Sequence, residues 1–436
     1  MLTAGLLLAP NIRRMSQIPE KRRVLYVLQG LPVPFDRRAW LHATTLAAHG
    51  YTVSFICPKG RGFDRSREEC EGVDIYRYWR PIEGEGKLAF IAESLWCFFA
   101  TLLLSVRVAL FGRGFDILHI CNPPEIYWPI AWLWHGFGKV FIWDHRDLSP
   151  ELAAAKFGTG DGIIMSLLLL LERLSFKAAQ IVVATNESYK KIAIERGGKR
   201  AEDVFIVRSA PSLTKFRIYE PDPSFKQGKP HLILYLGEMG AQDGVDNLIR
   251  ALKVLRDELG RDDFHCVLIG GGTYQPTVAV YAGELGVADL CTFTGIVSDE
   301  MLCRILSSGD VAIDPLPKNG WSDRSTMNKV LEYMFFGLPI VVGELAEARV
   351  SAGAAALYVE PGNVRAMAEG VAKLLDDPVQ RQTMGEFGQN RLRNTVAFEY
   401  SVPNLLAAYD AAWARVRRPL FRRGARLQSQ PADSAE

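Results

Sequence analysis

Along almost the whole chain, short apolar runs rich in β-branched residues alternate with longer stretches in which apolar side chains recur every three or four positions. The first pattern has the period of a strand and the second that of a helix, so their alternation predicts βαβ units with parallel sheets. One set of predicted strands comprises Val24–Gln29, Thr52–Pro58, Asp116–Cys121, Val140–Asp144, Ile181–Thr185 and Val204–Val207. A second comprises Leu232–Leu236, Cys266–Ile269, Cys291–Thr294, Val311–Asp314 and Ile340–Val342. Runs that are apolar at every position, such as Ile181–Ala184, suit strands covered on both faces. Between the sets, residues 220–230 (EPDPSFKQGKP) have the Pro-rich, polar composition of a linker. The fold class that follows is α/β: two Rossmann-like domains, residues 23–219 and 231–397, with parallel sheets facing across a cleft. Residues 398–418 are expected to form a C-terminal helix returning to the first domain. Residues 1–22 are expected to be a disordered extension, and 419–436 a basic and polar tail.

One helical stretch departs from the amphipathic pattern. From Leu88 to Phe111 only Glu93 and Arg107 are charged, leaving Ser94 to Val106 as the uncharged run. That is short of the ~18–20 residues a membrane span requires. Two readings remain open: a buried core helix, or an interfacial helix lying against a membrane surface. The opening Met1–Pro10 is apolar but lacks a preceding basic region, with Arg13 and Arg14 after it, so a secretory leader is not expected and initiation at Met15 is an alternative. A cytoplasmic protein, peripheral at the inner face of the membrane if the apolar helix docks there, is the expected location.

Charge and cysteine content narrow the function classes. The 51 Lys+Arg and 49 Asp+Glu leave a net charge of +2, which excludes a nucleic-acid coat or an acidic tail protein. Residues 1–220 carry 29 Lys+Arg against 22 Asp+Glu, so the first half can favour an anionic surface. Seven scattered cysteines without a C-x-x-C pair argue against a disulfide framework or a zinc site.

The loop after the first strand, Gln29–Arg38, has one Gly and two Pro, not the G-x-G-x-x-G of a dinucleotide site. Walker A, H-E-x-x-H and D-x-D sequences are also absent. A chain handling a nucleotide-sugar would then neutralise its diphosphate by a helix dipole and basic side chains. The best segment for that is 322–340 (SDRSTMNKVLEYMFFGLPI), where Ser325 or Thr326 can cap a helix ended by Gly337 and Pro339. Lys329 falls in its first turn, where backbone N–H groups already favour a phosphate. Glu332 shares that face and is placed to accept hydrogen bonds from a ribose diol. The spacing alone equally allows an exposed Lys–Glu pair. Of the histidines, His42, His49, His135, His231 and His265 read as surface or core fillers, whereas His119 at a strand end is a candidate for the cleft.

Segment 322–340 resembles the C-terminal-domain signature of the family-4 glycosyltransferases, which adopt the two-domain GT-B fold and retain anomeric configuration. Further pieces follow in the same order: Tyr235–Ile249 (YLGEMGAQDGVDNLI), Val267–Gly272 (VLIGGG), Phe293–Val297 (FTGIV) and Ala312–Leu316 (AIDPL). In the first half, Leu31–Arg38 (LPVPFDRR), Asn122–Glu125 (NPPE) and Trp143–Glu151 (WDHRDLSPE) are similar to a bacterial subgroup that builds exopolysaccharide, capsule and O-antigen (lipopolysaccharide) units. The similarity spans roughly residues 24–400. It implies Glu332 on the donor ribose, Lys329 near the diphosphate, and Gly237, Gly270 and Gly271 where donor phosphates approach closely. It implies His145 near the reacting sugar, orienting a hydroxyl, and Arg37, Arg38 and Arg208 as candidates for acceptor phosphate or donor diphosphate. The implied partners are a nucleotide-diphosphate sugar and an undecaprenyl-linked saccharide at the inner leaflet, with no nucleic acid, no metal and no other cofactor.

The departures from the family pattern are specific. The first acid of E-x7-E is replaced by Arg324, with Asp323 beside it, and Glu238 and Asp243 stand where the family has Arg and Lys. Neutralisation of the diphosphate is therefore expected to shift to Lys329, Arg324 or an N-domain Arg, with His145, Arg324 and Lys329 as the catalytic set. Two rival functions share the pattern: a nucleotide-sugar 2-epimerase, and a catalytically silent scaffold in polysaccharide assembly.

Overall fold

The computed structural model describes residues 21–80, 87–158 and 162–417, without the side chains of 87–90. The expectations for the N-terminal extension, for initiation at Met15 and for the basic tail lie outside these residues. Fourteen strands occur among them: β1 (Arg23–Val27), β2 (Thr52–Pro58), β3 (Arg67–Cys70), β4 (Val73–Tyr78), β5 (Ile117–Cys121), β6 (Val140–His145), β7 (Ile181–Ala184), β8 (Val204–Ile206), β9 (His231–Leu236), β10 (Phe264–Ile269), β11 (Cys291–Gly295), β12 (Val311–Asp314), β13 (Ile340–Gly343) and β14 (Ala356–Val359). They form two sheets, ordered β3-β4-β2-β1-β5-β6-β7-β8 and β11-β10-β9-β12-β13-β14. Every pairing is parallel except β3 with β4. Each sheet carries an apolar core on both faces, as its continuous apolar strands require. This is the GT-B architecture: two Rossmann-like α/β units whose strands end toward a shared cleft.

Three strands escape the apolar pattern. The hairpin β3–β4 is rich in charge, and its buried Asp74 is held by the Arg67 guanidinium at 2.9–3.0 Å and the Tyr76 hydroxyl at 2.9 Å. β14 is an edge strand, half-buried at three of its four positions. The 220–230 stretch is not a free tether. Asp222 N–H donates to Ser308 Oγ at 2.8 Å and Lys226 pairs with Asp310 at 2.8 Å, fastening it to the second unit. After β14 the chain crosses back. Phe398 and the Val402–Trp413 helix, through Leu405, Ala408, Tyr409 and Ala412, complete the core of the first sheet.

The Lys87–Phe111 helix is built the wrong way round for a core helix. Its buried positions are Ser94, Cys97, Thr101, Ser105 and Val108, a stripe at helical spacing that is mostly small or polar. Its large apolar residues, among them Ile91, Leu95, Phe99, Leu103 and Phe111, face outward, with Leu103 70% exposed. The reading as a buried core helix is thereby corrected: only 28% of the most apolar window is buried. Exposed Ile163, Ile164, Leu167 and Leu170 of the Ile163–Ala178 helix extend the apolar surface of the same unit.

Under the first sheet's C-terminal edge lies a dry polar knot. Asp144 is wholly buried and accepts a hydrogen bond from Arg38 Nη2 at 2.9 Å. His119 and His42 flank it at 3.7 and 4.0 Å, and their Nδ1 atoms are hydrogen-bonded to the Tyr409 and Tyr26 hydroxyls. His119 is therefore a core residue and not part of the cleft lining. The three side chains have the residue types of a metal site, but Arg38 already neutralises the carboxylate and Tyr26 occupies the His42 nitrogen nearest to it. Burial, with Arg38 adding to it at His42, holds both imidazoles below the ordinary 6.5 and hence neutral. In the unfolded chain they protonate below about pH 6.5, so that state binds more protons and stability falls as the pH drops below that value. We expect the melting temperature to fall between pH 7.5 and 5.5, with a shallower slope in a His119→Asn variant; equal slopes in scanning fluorimetry would refute this assignment.

Candidate functional site

The C-terminal ends of β9, β10 and β12 and the N-terminus of the Asn328–Phe335 helix build one wall of the cleft. Gly237 follows β9 and its N–H donates to Ile269 O at 3.0 Å, while Met239 N–H donates to Gly271 O at 2.9 Å. The two loops lie so close that a Cβ on Gly270 would sit 2.0 Å from Gly237 O, and Gly270 has φ +123°. Only glycine fits, and the backbone is left bare where a ligand would approach. A Cβ on Gly237 would in turn meet Lys329 Cε at 3.0 Å, so the Gly237 loop lies directly against that side chain. Gly271 is less tightly enclosed: a Cβ there would make ordinary contacts with Ile296 at 3.5 Å and Gln275 at 3.7 Å.

Neither Ser325 nor Thr326 caps the helix, contrary to the sequence expectation. The helix starts at Asn328, and its N-cap residue, Met327, makes no side-chain cap. Ser325 and Thr326 instead reach across the cleft, to the Tyr189 hydroxyl and Asn186 Nδ2, each at 2.9 Å. The helix N-terminus thus keeps its positive end free of a protein cap, the condition for anion binding. Lys329, its second residue, is buried, with Nζ 3.4 Å from Asp314 Oδ1 and 4.7 Å above the Tyr235 ring. Burial opposes its charge, but the oxygens of Tyr235, Asp314 and Asp243 outweigh that and hold it above the usual lysine range. Asp314, at the end of β12, is fully buried with no hydrogen bond to either oxygen. Burial raises the carboxyls of Asp314 and Asp243, and Lys329 partly offsets it in both. Glu332, one turn beyond Lys329, is also raised by burial and accepts from Arg37 Nη1 of the facing unit at 3.2 Å.

Across the cleft, Asp36 caps the Arg37–Ala48 helix through Ala39 N–H at 2.9 Å and pairs with Arg146 at 2.7 Å. Arg37, the first residue of that helix, points over the gap to Glu332 and Asp299. The other expected basic residues are already committed. Arg38 is locked to Asp144 and to Val207 O at 2.8 Å, so it is not available to a phosphate. Arg208 donates to Glu347 Oε1 at 2.7 Å and lies near Ser351 Oγ, forming a largely buried strut. Arg324 is exposed and turns back to Gly320 O at 2.9 Å, away from Lys329. Asp323 does not stand in for the missing acid: its Oδ1 accepts Ala346 N–H at 2.9 Å.

His145 is a further correction. It ends β6 fully buried, enclosed by Trp143, Phe176 and Tyr189 with ring centroids 4.9–5.4 Å away and with Nε2 3.5 Å from Glu172 Oε1. No face of it reaches the cleft in this closed arrangement. The cleft-side residue of that segment is Asp147, whose Oδ1 accepts the Trp321 indole N–H of the opposite unit at 2.9 Å. Burial raises the Asp147 carboxyl, the Trp321 hydrogen bond opposing it. Asp147, Asn186, Tyr235 and Asp314 all lie at or just beyond strand ends, the one signal by which the sequence marks them.

Comparison with known proteins agrees with this geometry. Residues 36–208 match the family described as "Glycosyl transferase 4-like domain", and residues 230–377 match "Glycosyl transferases group 1". The alpha-D-kanosaminyltransferase of Streptomyces kanamyceticus is 29% identical over 157 residues, covering 36% of this chain and 39% of that protein. A GDP-mannose-dependent alpha-(1-6)-phosphatidylinositol monomannoside mannosyltransferase of Mycobacterium tuberculosis is 30% identical over 183 residues, covering 39% and 47%. The chain thus spans less than half the length of these curated relatives. Sucrose-phosphate synthase from Thermosynechococcus elongatus has the same fold, with a TM-score of 0.73 at 16% identity over 90% of this chain and 100% of that one. The two family matches, one over each unit, support a glycosyltransferase of family 4, and the structural likeness shows the GT-B fold.

Because Arg208 is a strut, its removal leaves Glu347 buried and unpaired, at a cost of ~3 kcal/mol. Arg208→Ala is expected to lower the melting temperature by several degrees. An unchanged melting temperature with weakened nucleotide binding would restore Arg208 as a phosphate ligand.

Proposed function

We propose that this family-4 chain transfers a hexosyl or N-acetylhexosaminyl group from a nucleotide-diphosphate sugar to a saccharide acceptor, retaining anomeric configuration and using no metal ion. The observation that carries this reading is Lys329 and Glu332, one turn apart at the uncapped N-terminus of the Asn328–Phe335 helix, beside the bare Gly237 and Gly270 loops. The helix end and Lys329 take the diphosphate, and Glu332 takes the ribose diol. As the sugar departs through an oxocarbenium-like state, negative charge grows on the diphosphate. Dipoles and a cation already in place stabilise that charge without reorganising, which is the usual source of such catalysis. The struts across the cleft, Arg208–Glu347, Asn186–Thr326 and Tyr189–Ser325, keep water from the site while it is closed. The dependence of the mycobacterial relative on GDP-mannose supports a nucleotide-sugar donor.

The acceptor is a saccharide on undecaprenyl diphosphate at the inner leaflet, and the product belongs to cell-surface polysaccharide. The inverted Lys87–Phe111 helix supports this lipid-side placement. Its inner stripe of Ser94, Thr101 and Ser105 packs on the sheet, while its outer face of Leu95, Phe99 and Leu103 suits the boundary of a bilayer.

Three measurements test the proposal. With EDTA present, one of UDP, GDP or dTDP is expected to stabilise the protein, by about 2.7 kcal/mol at a hundredfold excess over Kd. Lys329→Ala should lower turnover ~10²–10³-fold, and unchanged activity in both Lys329→Ala and Glu332→Ala would overturn the donor site. The protein should also sediment with vesicles containing phosphatidylglycerol, and a Phe99→Glu, Leu103→Glu variant should stay in the supernatant. Wild-type protein remaining in the supernatant would remove the membrane placement.

A further inference from the structure

The second unit supplies one buried cation to its phosphate pocket, Lys329, and sets the carboxyl groups of Asp314, Asp243 and Glu332 around it. By itself that pocket is a poor host for a diphosphate, because the carboxylates already balance the lysine. A second positive charge has to come from the facing unit. There Arg38 and Arg146 are tied to buried acids of their own unit, Asp144 and Asp36, and Arg208, which also crosses to the opposite unit, is largely buried against Glu347. Arg37 differs. Its side chain is 39% exposed, its guanidinium lies over the Phe216 ring at 5.4 Å, and its two acids, Glu332 and Asp299, both belong to the opposite unit.

One of those acids is Glu332, the group assigned above to the donor ribose. Arg37 and the ribose therefore compete for the same carboxylate. We propose that Arg37 is a two-position residue: in the ligand-free protein it is parked on Glu332 and Asp299, latching the cleft, and the ribose diol displaces it onto the donor diphosphate. The proposal rests on the reading of Glu332 as ribose acceptor and extends it to a positioning role for an arginine from across the cleft. The exchange conserves its interactions. Glu332 trades a guanidinium for two hydroxyl donors, and the guanidinium trades carboxylates for phosphate oxygens, a charge-assisted pairing of the same kind. Ribose and diphosphate recognition become coupled. A nucleoside without phosphates must evict Arg37 and gives it nothing in return, whereas a nucleoside diphosphate does both.

Calorimetric titration distinguishes this from a plain phosphate contact. The probes are whichever of UDP, GDP and dTDP stabilises the protein, and the matching nucleoside. Arg37→Ala should bind the nucleoside about threefold more tightly and the diphosphate ~10-fold more weakly, changes of opposite sign. Asp299→Asn, which loosens the parked position alone, should tighten both about threefold. Melting temperatures check that each variant is folded. Arg37→Ala shifting both ligands in the same direction, or neither, would overturn the latch. Glu332→Gln in the Arg37→Ala background, where the latch is absent, separates the two levels: unchanged nucleotide affinity there defeats the ribose assignment and the latch with it. A weakened affinity in that background with same-sign effects in Arg37→Ala defeats the latch alone. Binding of none of the three nucleotides removes the proposed function and this inference together.

Discussion

The charge of Asp144, carried into the interior of the first unit, sets the terms for much of the rest. A carboxylate at zero exposure is costly unless paired. Arg38 reaches in to meet it, the chief cause overriding the burial that would otherwise raise its pKa, and the carboxyl stays well below its usual range. That contact anchors the first turn of the Arg37–Ala48 helix, and Asp36 fixes the same turn from the cap position. With residue 38 bound inward, residue 37 has to point outward over the cleft. Neighbouring arginines thus acquire opposite roles from helical geometry, one as ballast for a buried acid and one as the reach of the first unit toward the second.

The opposite wall is organised by backbone more than by side chains. Three features converge on Lys329: a helix end left without a cap, two loops so close that only glycine fits, and a strand-end acid with no hydrogen bond. The first two leave bare, positively polarised backbone where an anion can approach, and the third is the counter-charge of the buried Lys329. The Ser325 and Thr326 hydroxyls that would have closed the helix end are used to hold the two units together, so the geometry that shuts the cleft is the same geometry that leaves the anion site open.

Much of the fold was legible in the sequence because parallel strands covered on both faces are apolar at every position. The pattern failed at the charged β3–β4 hairpin, where that condition fails, and at the edge strand β14, an apolar run no shorter than β7, β12 or β13 but mostly half-buried. Site residues were legible when their role depends on local spacing, as with Lys329 and Glu332 on one helix face, or on a backbone demand, as with Gly237 and Gly270. They were not legible when the role depends on a partner far along the chain. Arg208 meets Glu347 and Arg38 meets Asp144; no spacing rule distinguishes these arginines from Arg37. His145 shows the converse, because a strand-end histidine can face the gap or the core, and the walls of Trp143, Phe176 and Tyr189 decide it.

The outward-facing apolar surface belongs to the first unit alone, and the C-terminal helix folds back onto that unit too. If that surface seats on lipid, as proposed above, the first unit would be the stator and the second the moving part. Opening the cleft would then swing only the half that carries the donor wall, out into the aqueous side and back. An acceptor held in the bilayer would meet a wall of constant height, so the geometry of the lipid-facing half would fix how long a saccharide the cleft can reach.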